Sequence, residues 1–349
     1  MTASHAKPRD NAKGFASESD SSPILKMPKM AVDAGNRSIC AFDTYEKVLK
    51  LPSFHIDLEP YDQPQPDPNS VIIEYQNQGS AAKKGKRWAV GKVAQEMGGK
   101  ATFYEEKAYL AGKLVLAAIQ PHEGKRQIVI EKLILCLPNH LQQDKVDAIK
   151  AALEGIHQYQ RNGIDLTVHV RSIEIQPETL GAYRLAKILN LFNCLDRPNA
   201  VLDLGGKTGS GQIYTANGSY PNDGRVIVAG TYDLAKICLK HPDFVNQDTT
   251  ADLALIMDGI ADGSYKYGQT GIYFGDRFEQ YREEWIQGIR NQLNTKWERY
   301  RAQLGEVLVI GGSAELATTL FEVSKGRFKL PPTECDPQTF SVRGMLING

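Results

Sequence analysis

The hydrophobic pattern predicts a chain that mixes strands and helices. Residues 127–137 are nearly all apolar before Pro138, as expected for a strand covered on both faces. Residues 105–119 carry apolar side chains at helical spacing, and a mixed helix is predicted between Pro138 and about residue 160. Along residues 276–304, aromatic and aliphatic side chains recur every three or four positions, which predicts one long helix with a buried face.

Two predicted strands end in the same way, because each runs into an aspartate, a glycine-containing turn and a returning strand. In residues 29–42 the aspartate is Asp33, and in residues 200–216 it is Asp203, 170 positions later. The turns contain Gly35, Asn36 and Arg37 in the first unit and Gly205, Gly206, Lys207 and Thr208 in the second. A repeat at this distance indicates two similar domains rather than a solenoid.

The two turns have the chemistry of a polyphosphate site. A glycine-rich turn presents several backbone N–H groups to one anion, and a carboxylate at the strand end can face a hydrated Mg²⁺. Two better-known phosphate motifs are excluded. A P-loop needs a glycine where this chain has Val201, and the second turn lacks the dinucleotide fingerprint G-x-G-x-x-G. Two such hairpins facing each other across a cleft would hold one phosphate chain from both sides.

Composition narrows the class of protein. The 349 residues suffice for two domains with separate cores, and a hydrophobic fraction of 42% is typical of a soluble protein. Basic and acidic residues number 41 each, so no overall field attracts the chain to nucleic acid or to an anionic membrane. Five cysteines without a C-x-x-C pair, and the lack of a membrane-length apolar run, predict a cytoplasmic protein. Residues 1–27 are predicted to form a disordered tail.

The order of these motifs, with Gly311 and Gly312 opening a late helix, resembles the actin-like ATPases, the superfamily of actin, heat-shock chaperone ATPases and sugar kinases. Within it the chain looks most like the ParM-type actins of plasmid segregation and their archaeal relatives. The resemblance implies an α/β, duplicated two-domain fold of the actin-like, ribonuclease H-like type, with a nucleotide cleft between the domains. The implied divisions are domain I at 28–190 with an insertion at about 45–105, domain II at 191–330, and a C-terminal crossover helix at 331–349.

The resemblance also assigns site residues. Glu178 follows Pro177 and precedes a Gly-Ala pair, as does the ParM-type carboxylate that orients the attacking water. Without the resemblance, Glu178 is interpreted as a carboxylate in the first turn of a helix that Pro177 begins. Asp33 and Asp203 are implied to be catalytic with Glu178 and to bind Mg²⁺. The residues implied to contact the nucleotide are Gly35, Asn36, Arg37, Gly181, Gly205, Gly206, Lys207, Thr208, Gly311, Gly312 and Ser313.

The function implied is Mg²⁺-dependent binding and hydrolysis of ATP, with GTP as the other candidate nucleotide. Self-association into filaments that segregate plasmid DNA, through an adaptor protein, is implied as well. One residue departs from the family pattern: many ParM-type proteins place a lysine near the phosphates where this chain has Cys40. Arg37 and Lys207 are the candidate replacement cations, and slow hydrolysis is expected. Two alternatives stay open, a scaffold that binds nucleotide without hydrolysing it and a small-molecule kinase of the same superfamily.

Overall fold

Two β-sheets organise the computed structural model, which describes residues 23–76, 86–102, 107–122, 124–137, 142–245 and 251–347. The larger sheet has 11 strands and the smaller has 5 strands within these residues. The part of the chain built on the larger sheet is called the first domain, and the part built on the smaller sheet is called the second domain. The chain is therefore a mixed α/β protein, as predicted.

The larger sheet is formed by the N-terminal half of the chain. Its strands are β1 (Ile24–Ala34), β2 (Ser38–Asp43), β3 (Val48–Pro52), β4 (Phe54–Leu58), β5 (Ser70–Tyr75), β6 (Arg87–Gly91), β7 (Lys100–Ala101), β8 (Gln127–Leu137), β9 (Gly155–Arg161), β10 (Ile164–Val170) and β11 (Ile173–Pro177). Their order is β3-β2-β1-β8-β10-β9-β5-β6-β4-β7, and β11 also pairs with β8. Strand β8 is parallel to both β1 and β11, whereas β1, β2 and β3 are joined as antiparallel hairpins.

The smaller sheet repeats the central part of the larger one. Its strands are β12 (Asn199–Leu204), β13 (Thr208–Tyr214), β14 (Arg225–Ala229), β15 (Val307–Ile310) and β16 (Phe328–Lys329). Their order is β14-β13-β12-β15-β16, with two antiparallel hairpins followed by two parallel pairings. The same order and the same directions relate β3, β2, β1, β8 and β11, so the fold is duplicated, as the repeated motifs predicted.

Helices cover both sheets. They are α1 (Lys92–Glu96), α2 (Lys107–Ala118), α3 (Gln143–Leu153), α4 (Leu180–Ile188), α5 (Thr231–Cys238), α6 (Pro242–Val245), α7 (Leu253–Ala261), α8 (Phe278–Lys296), α9 (Thr318–Val323) and α10 (Phe340–Met345). The aromatic stripe predicted to be buried is confirmed, because Phe278, Tyr281 and Trp285 of α8 have exposed fractions below 5%. Among the helices described, none combines the length and the hydropathy that a transmembrane span requires.

Helix α8 also protects an edge of the smaller sheet. Strand β14 is the last strand on its side, and an uncovered edge strand exposes backbone groups that can pair with other chains. Trp285 Nε1 donates to the carbonyl oxygen of Gly230 at 3.1 Å, and Gln292 Oε1 accepts from the backbone N–H of Ala229 at 3.2 Å. Trp297 Nε1 donates to the carbonyl oxygen of Gly224 at 2.8 Å. Side chains of α8, and of Trp297 just after it, therefore hydrogen-bond to the backbone at the two ends of β14.

Two predicted boundaries were wrong. Strand β1 begins at Ile24 and buries Leu25 and Met27, so the last residues assigned to the tail belong to the sheet; residues 1–22 lie outside the described part. The helix expected to reach about residue 160 ends at Leu153, and β9 follows. The buried side chains of β9 are His157 and Tyr159, which both carry polar atoms. The alternation of buried and exposed residues along β9 is therefore not visible as an alternation of apolar and polar residues.

The C-terminal helix packs against elements of the first domain. Helix α10 packs on α4 and contacts β1 and β2. Phe340 and Val342 are fully buried. A Cβ atom on Gly344 would collide with the carbonyl oxygen of Gly181 and would lie 3.1 Å from the Gly181 Cα atom, and one on Gly181 would lie 2.8 Å from the backbone nitrogen of Met345. The two helices therefore approach backbone to backbone at a pair of glycines.

We expect Gly344→Ala to lower the free energy of unfolding by about 2 kcal/mol, because an extra methyl group between packed backbones forces the helices apart. Urea denaturation followed by circular dichroism measures the change. Gly288→Ala is the control: Gly288 lies within α8, and a Cβ there would meet nothing within 4 Å. The control is expected to be neutral or stabilising by up to about 1 kcal/mol. Equal destabilisation of both variants would contradict the packing argument.

Candidate functional site

A cavity of about 360 Å³ lies between the two domains and is lined by residues of both. Its size is within the range of small-molecule sites. The predicted residues that it brings together are Asp33, Gly35, Asn36, Arg37, Glu178, Asp203, Gly205, Gly206, Thr208, Gly311, Gly312 and Ser313. Both strand-end aspartates therefore face one cavity, although they are 170 positions apart in the chain.

The two aspartates hold equivalent positions in the duplicated fold. Asp33 of β1 is opposite Cys40 of β2, and Asp203 of β12 is opposite Ser210 of β13, each one residue before the end of its strand. The turn 35–37 in the first domain thus corresponds to the turn 205–207 in the second. This equivalence explains why two similar sequence motifs meet at one site, since each domain presents the same edge to the other.

Glycines are required where the turns fold back tightly. A Cβ on Gly35 would lie 2.6 Å from the carbonyl oxygen of Ser38, and one on Gly205 would lie 2.8 Å from that of Thr208. At Gly311, φ is +95° and a Cβ would collide with Asp203 Oδ1. The backbone can therefore come close to a ligand at three points of the cavity wall, and Gly311 also gives the Asp203 carboxylate its space.

Glu178 lies in the turn between β11 and α4 and lines the cavity. The hydroxyl of Ser210 donates to Glu178 Oε2 at 3.1 Å, and the hydroxyl of Ser341 donates to the Glu178 carbonyl oxygen at 2.7 Å. Pro177 is the last residue of β11, so its interpretation as the start of a helix was wrong, and so was that of Glu178 as a first-turn carboxylate. Ser210 on β13 therefore holds the carboxylate of Glu178, and Ser341 on α10 holds its backbone.

Two predicted nucleotide contacts do not line the cavity. Lys207 is exposed and is not among the lining residues, although its counterpart Arg37 is one of them. Gly181 lies inside α4 against α10, where its role is close helix packing. Sequence spacing alone could not separate these residues from the true lining, because the spacing does not show which way each turn side chain points.

Cys40, at the position where the resemblance implied a lysine, lines the cavity. Burial raises the pKa of the Cys40 thiol to about 12, and the nearby Asp33 carboxylate adds to the rise. The thiol is therefore neutral at physiological pH and supplies no charge to an anion. Among the described residues that line the cavity, the only cationic side chain is that of Arg37.

Several lining residues were missed at the level of sequence, namely Ser38, Ser210, Thr231, Met257, Ile260 and Gln338. Ser38 and Ser210 begin or lie within the returning strands of the two hairpins, so hairpin register could have found them. Met257 and Ile260 lie on α7, whose place at the cavity depends on tertiary packing. Thr231 and Ser313 share a hydrogen bond between their hydroxyls, which ties the turn after β14 to the turn after β15.

The donor set fits a hydrated Mg²⁺ bound together with phosphates. Asp33 and Asp203 provide carboxylates on the cavity wall, and no group of three or more His, Cys, Asp or Glu able to hold a metal occurs in the described residues. A structural zinc site would need such a group, whereas Mg²⁺ typically uses one or two carboxylates, water and substrate phosphates. The glycine turns expose backbone at the same cavity wall, where its N–H groups could bind a phosphate chain.

Sequence comparison assigns the first domain. The family described as the N-terminal domain of actin-like proteins matches residues 31–181. This part of the chain is similar to the actin-like proteins. No curated protein sequence matches it significantly.

Solved structures show that the similarity in fold covers nearly the whole chain. An archaeal actin homolog superposes with a TM-score of 0.72 at 14% identity, covering 91% of this chain and 98% of its own. A 15-stranded ParM filament from Clostridium botulinum gives a TM-score of 0.72 at 15% identity, covering 92% and 98%. The archaeal actin homolog in complex with ADP gives a TM-score of 0.64 at 15% identity, covering 91% and 98%. At these identities the similarity shows the actin-like fold.

Proposed function

We propose that this actin-like chain binds Mg·ATP in the interdomain cavity, hydrolyses it slowly and polymerises into filaments that segregate plasmid DNA through an adaptor protein. The single observation that carries the proposal is that Asp33 and Asp203, each followed by a glycine turn, line one cavity from opposite domains. The existence of an ADP complex of a protein with this fold, and of a filament of another, supports it. GTP is the alternative nucleotide.

The residues of the cavity would have different roles in phosphoryl transfer. This reaction needs positioned reactants and stabilised charge rather than covalent chemistry by the protein. Backbone N–H groups around Gly35, Gly205 and Gly206 would hold phosphate oxygens. Asp33 and Asp203 would face the shell of Mg²⁺, which supplies positive charge to the phosphates when it is bound.

The remaining lining residues suit the water and the nucleoside. Glu178, fixed by Ser210 and Ser341, would orient the attacking water. The side chains of Met257 and Ile260, near Gly311 and Gly312, provide an apolar wall for a flat base.

A non-hydrolysing scaffold is the second candidate, and the neutral Cys40 thiol favours it. In this alternative the chain binds nucleotide and polymerises, but releases no phosphate because the cavity lacks the lysine charge. The two candidates differ only in turnover, so a phosphate assay separates them.

We expect Mg·ATP to move the chain into the pellet in high-speed sedimentation, with phosphate released over minutes to hours. ADP and ATP with excess EDTA are the controls, and GTP is tested in parallel. Filament growth is expected because head-to-tail contacts that do not close propagate without limit. Pelleting without phosphate release would select the scaffold. Absence of both nucleotide binding and pelleting would reject the proposed function.

A further inference from the structure

One carboxylate of the second domain is bound by two side chains of the first domain. Asp258 lies on α7, and its Oδ1 forms an ion pair with Nη2 of Arg37, which lies in the turn between β1 and β2. Its Oδ2 accepts a hydrogen bond from Gln95 Nε2, on α1, at 2.7 Å. Arg37 and Gln95 are 221 and 163 positions away in the chain, so both contacts are purely tertiary. We call these three residues the clasp.

Arg37 reaches Asp258 by crossing the turn of the second domain. A Cβ on Gly206 would collide with Cγ of Arg37 and would lie 3.0 Å from its Cβ, so the arginine stem rests directly on this glycine. Only a residue without a side chain leaves that path open. Lys207 holds the equivalent position in the second turn and is exposed, whereas Arg37 is half-buried and lines the cavity.

The guanidinium of Arg37 is incompletely satisfied. Its Nη1 is buried and has no hydrogen-bond partner within the described residues, while the residue lines the cavity. A buried charged donor without a partner is costly, and an anionic oxygen is the partner that satisfies it best. Because Nη2 is taken by Asp258, the same side chain can join a cavity anion to the second domain.

We propose that Asp258 is a positioning residue, which closes the two domains by holding Arg37 against the phosphates of the bound nucleotide. The inference rests on the proposed function for the identity of the anion. Helix α7 carries Asp258 and also contributes Met257 and Ile260 to the cavity wall. Movement of this helix therefore changes the clasp and the nucleotide wall together. Such a shared element couples domain closure to nucleotide binding, and nucleotide binding to closure by the same factor.

The clasp contributes more to holding the two domains together than an isolated surface ion pair would contribute. The side chains of Arg37 and Asp258 have exposed fractions of 21% and 33%, and a lone pair this exposed contributes little. Here the single carboxylate satisfies donors from two segments of the first domain, so its loss releases both. It lies beside an apolar contact between the domains, since Phe54 and Ala94 belong to the same buried cluster as Met257. The clasp therefore adds polar contacts to domains that are already joined by an apolar contact.

The test uses Asp258→Ala with Glu322→Ala as the control, because Glu322 is an exposed acidic residue on α9 outside the cavity. We expect Asp258→Ala to bind Mg·ATP about tenfold more weakly, within the range of couplings between sites. In the nucleotide-free protein, amide hydrogen exchange in residues 35–38 is expected to accelerate, because the turn loses its anchor. Gln95→Ala, which removes one contact only, is expected to give smaller changes of the same sign. The control should change neither quantity.

A charge swap separates closure from phosphate contact. In the double variant Arg37→Asp with Asp258→Arg, the ion pair can re-form, so slow amide exchange is expected to return while Mg·ATP affinity stays low. Recovered affinity in the swap would overturn the role of Arg37 at the phosphates. Unchanged exchange and unchanged affinity in Asp258→Ala would overturn the clasp itself. If the wild type binds no nucleotide, the proposed function fails, and the exchange measurement still decides whether the clasp closes the domains.

Discussion

Asp203→Ala is expected to abolish Mg·ATP binding, with a loss of affinity of about 100-fold or more, equivalent to about 2.7 kcal/mol. The carboxylate lies at the cavity wall next to Gly311, which leaves it space, and opposite Ser210 in the hairpin. Its removal takes away one of the two acidic groups that would face the metal. Isothermal titration calorimetry with Mg·ATP measures the loss.

Asp196→Ala serves as the matched control, because Asp196 is an exposed acidic residue of the same domain that does not line the cavity. It is expected to bind Mg·ATP as the wild type does. A calorimetric titration without Mg²⁺ completes the comparison, since the Asp203 effect is expected to shrink when the metal is withheld. Wild-type affinity in Asp203→Ala would reject the assignment of the second hairpin.

Glu178→Ala is expected to retain Mg·ATP binding within about twofold and to slow phosphate release by about 100-fold, the lower end of the range for a group that positions or deprotonates a nucleophile. The physical reason is that hydrogen bonds from Ser210 and Ser341 hold Glu178 at the cavity, whereas the phosphates would be held by the glycine turns and the metal. Single-turnover phosphate release measures the rate, separately from any effect on polymerisation.

Ser210→Ala provides a graded companion to this prediction. It leaves the carboxylate in place but removes the hydroxyl that donates to Glu178 Oε2, so an intermediate rate is expected. Glu322→Ala, remote from the cavity, should keep the wild-type rate. A wild-type rate in Glu178→Ala would assign the water to another residue, and lost nucleotide binding would make Glu178 a binding residue instead.

The secondary structure that sequence reasoning predicted well depends on local patterns. The aromatic face of α8 was recognised because the period of 3.6 residues follows from helix geometry, and β8 was recognised because a nearly continuous apolar run is typical of a strand covered on both faces. The region after α3 was not, because the buried face of β9 is made of His157 and Tyr159, whose polar atoms bond within the core. His157 Nδ1 lies 2.9 Å from the hydroxyl of Tyr75, and the Tyr159 hydroxyl donates to a backbone carbonyl.

For the site, the chain by itself determined that two strand-end aspartates with glycine turns exist, since tight turns require glycine wherever a Cβ would strike the backbone. It also determined the duplication, because the two units repeat the same local pattern at Asp33 and Asp203. Only the tertiary structure decided that Arg37 faces the cavity while Lys207 does not, and that Asp258 joins the domains. The reason is physical: side-chain direction and contacts across more than 200 positions are set by how the domains pack, and no local period encodes them.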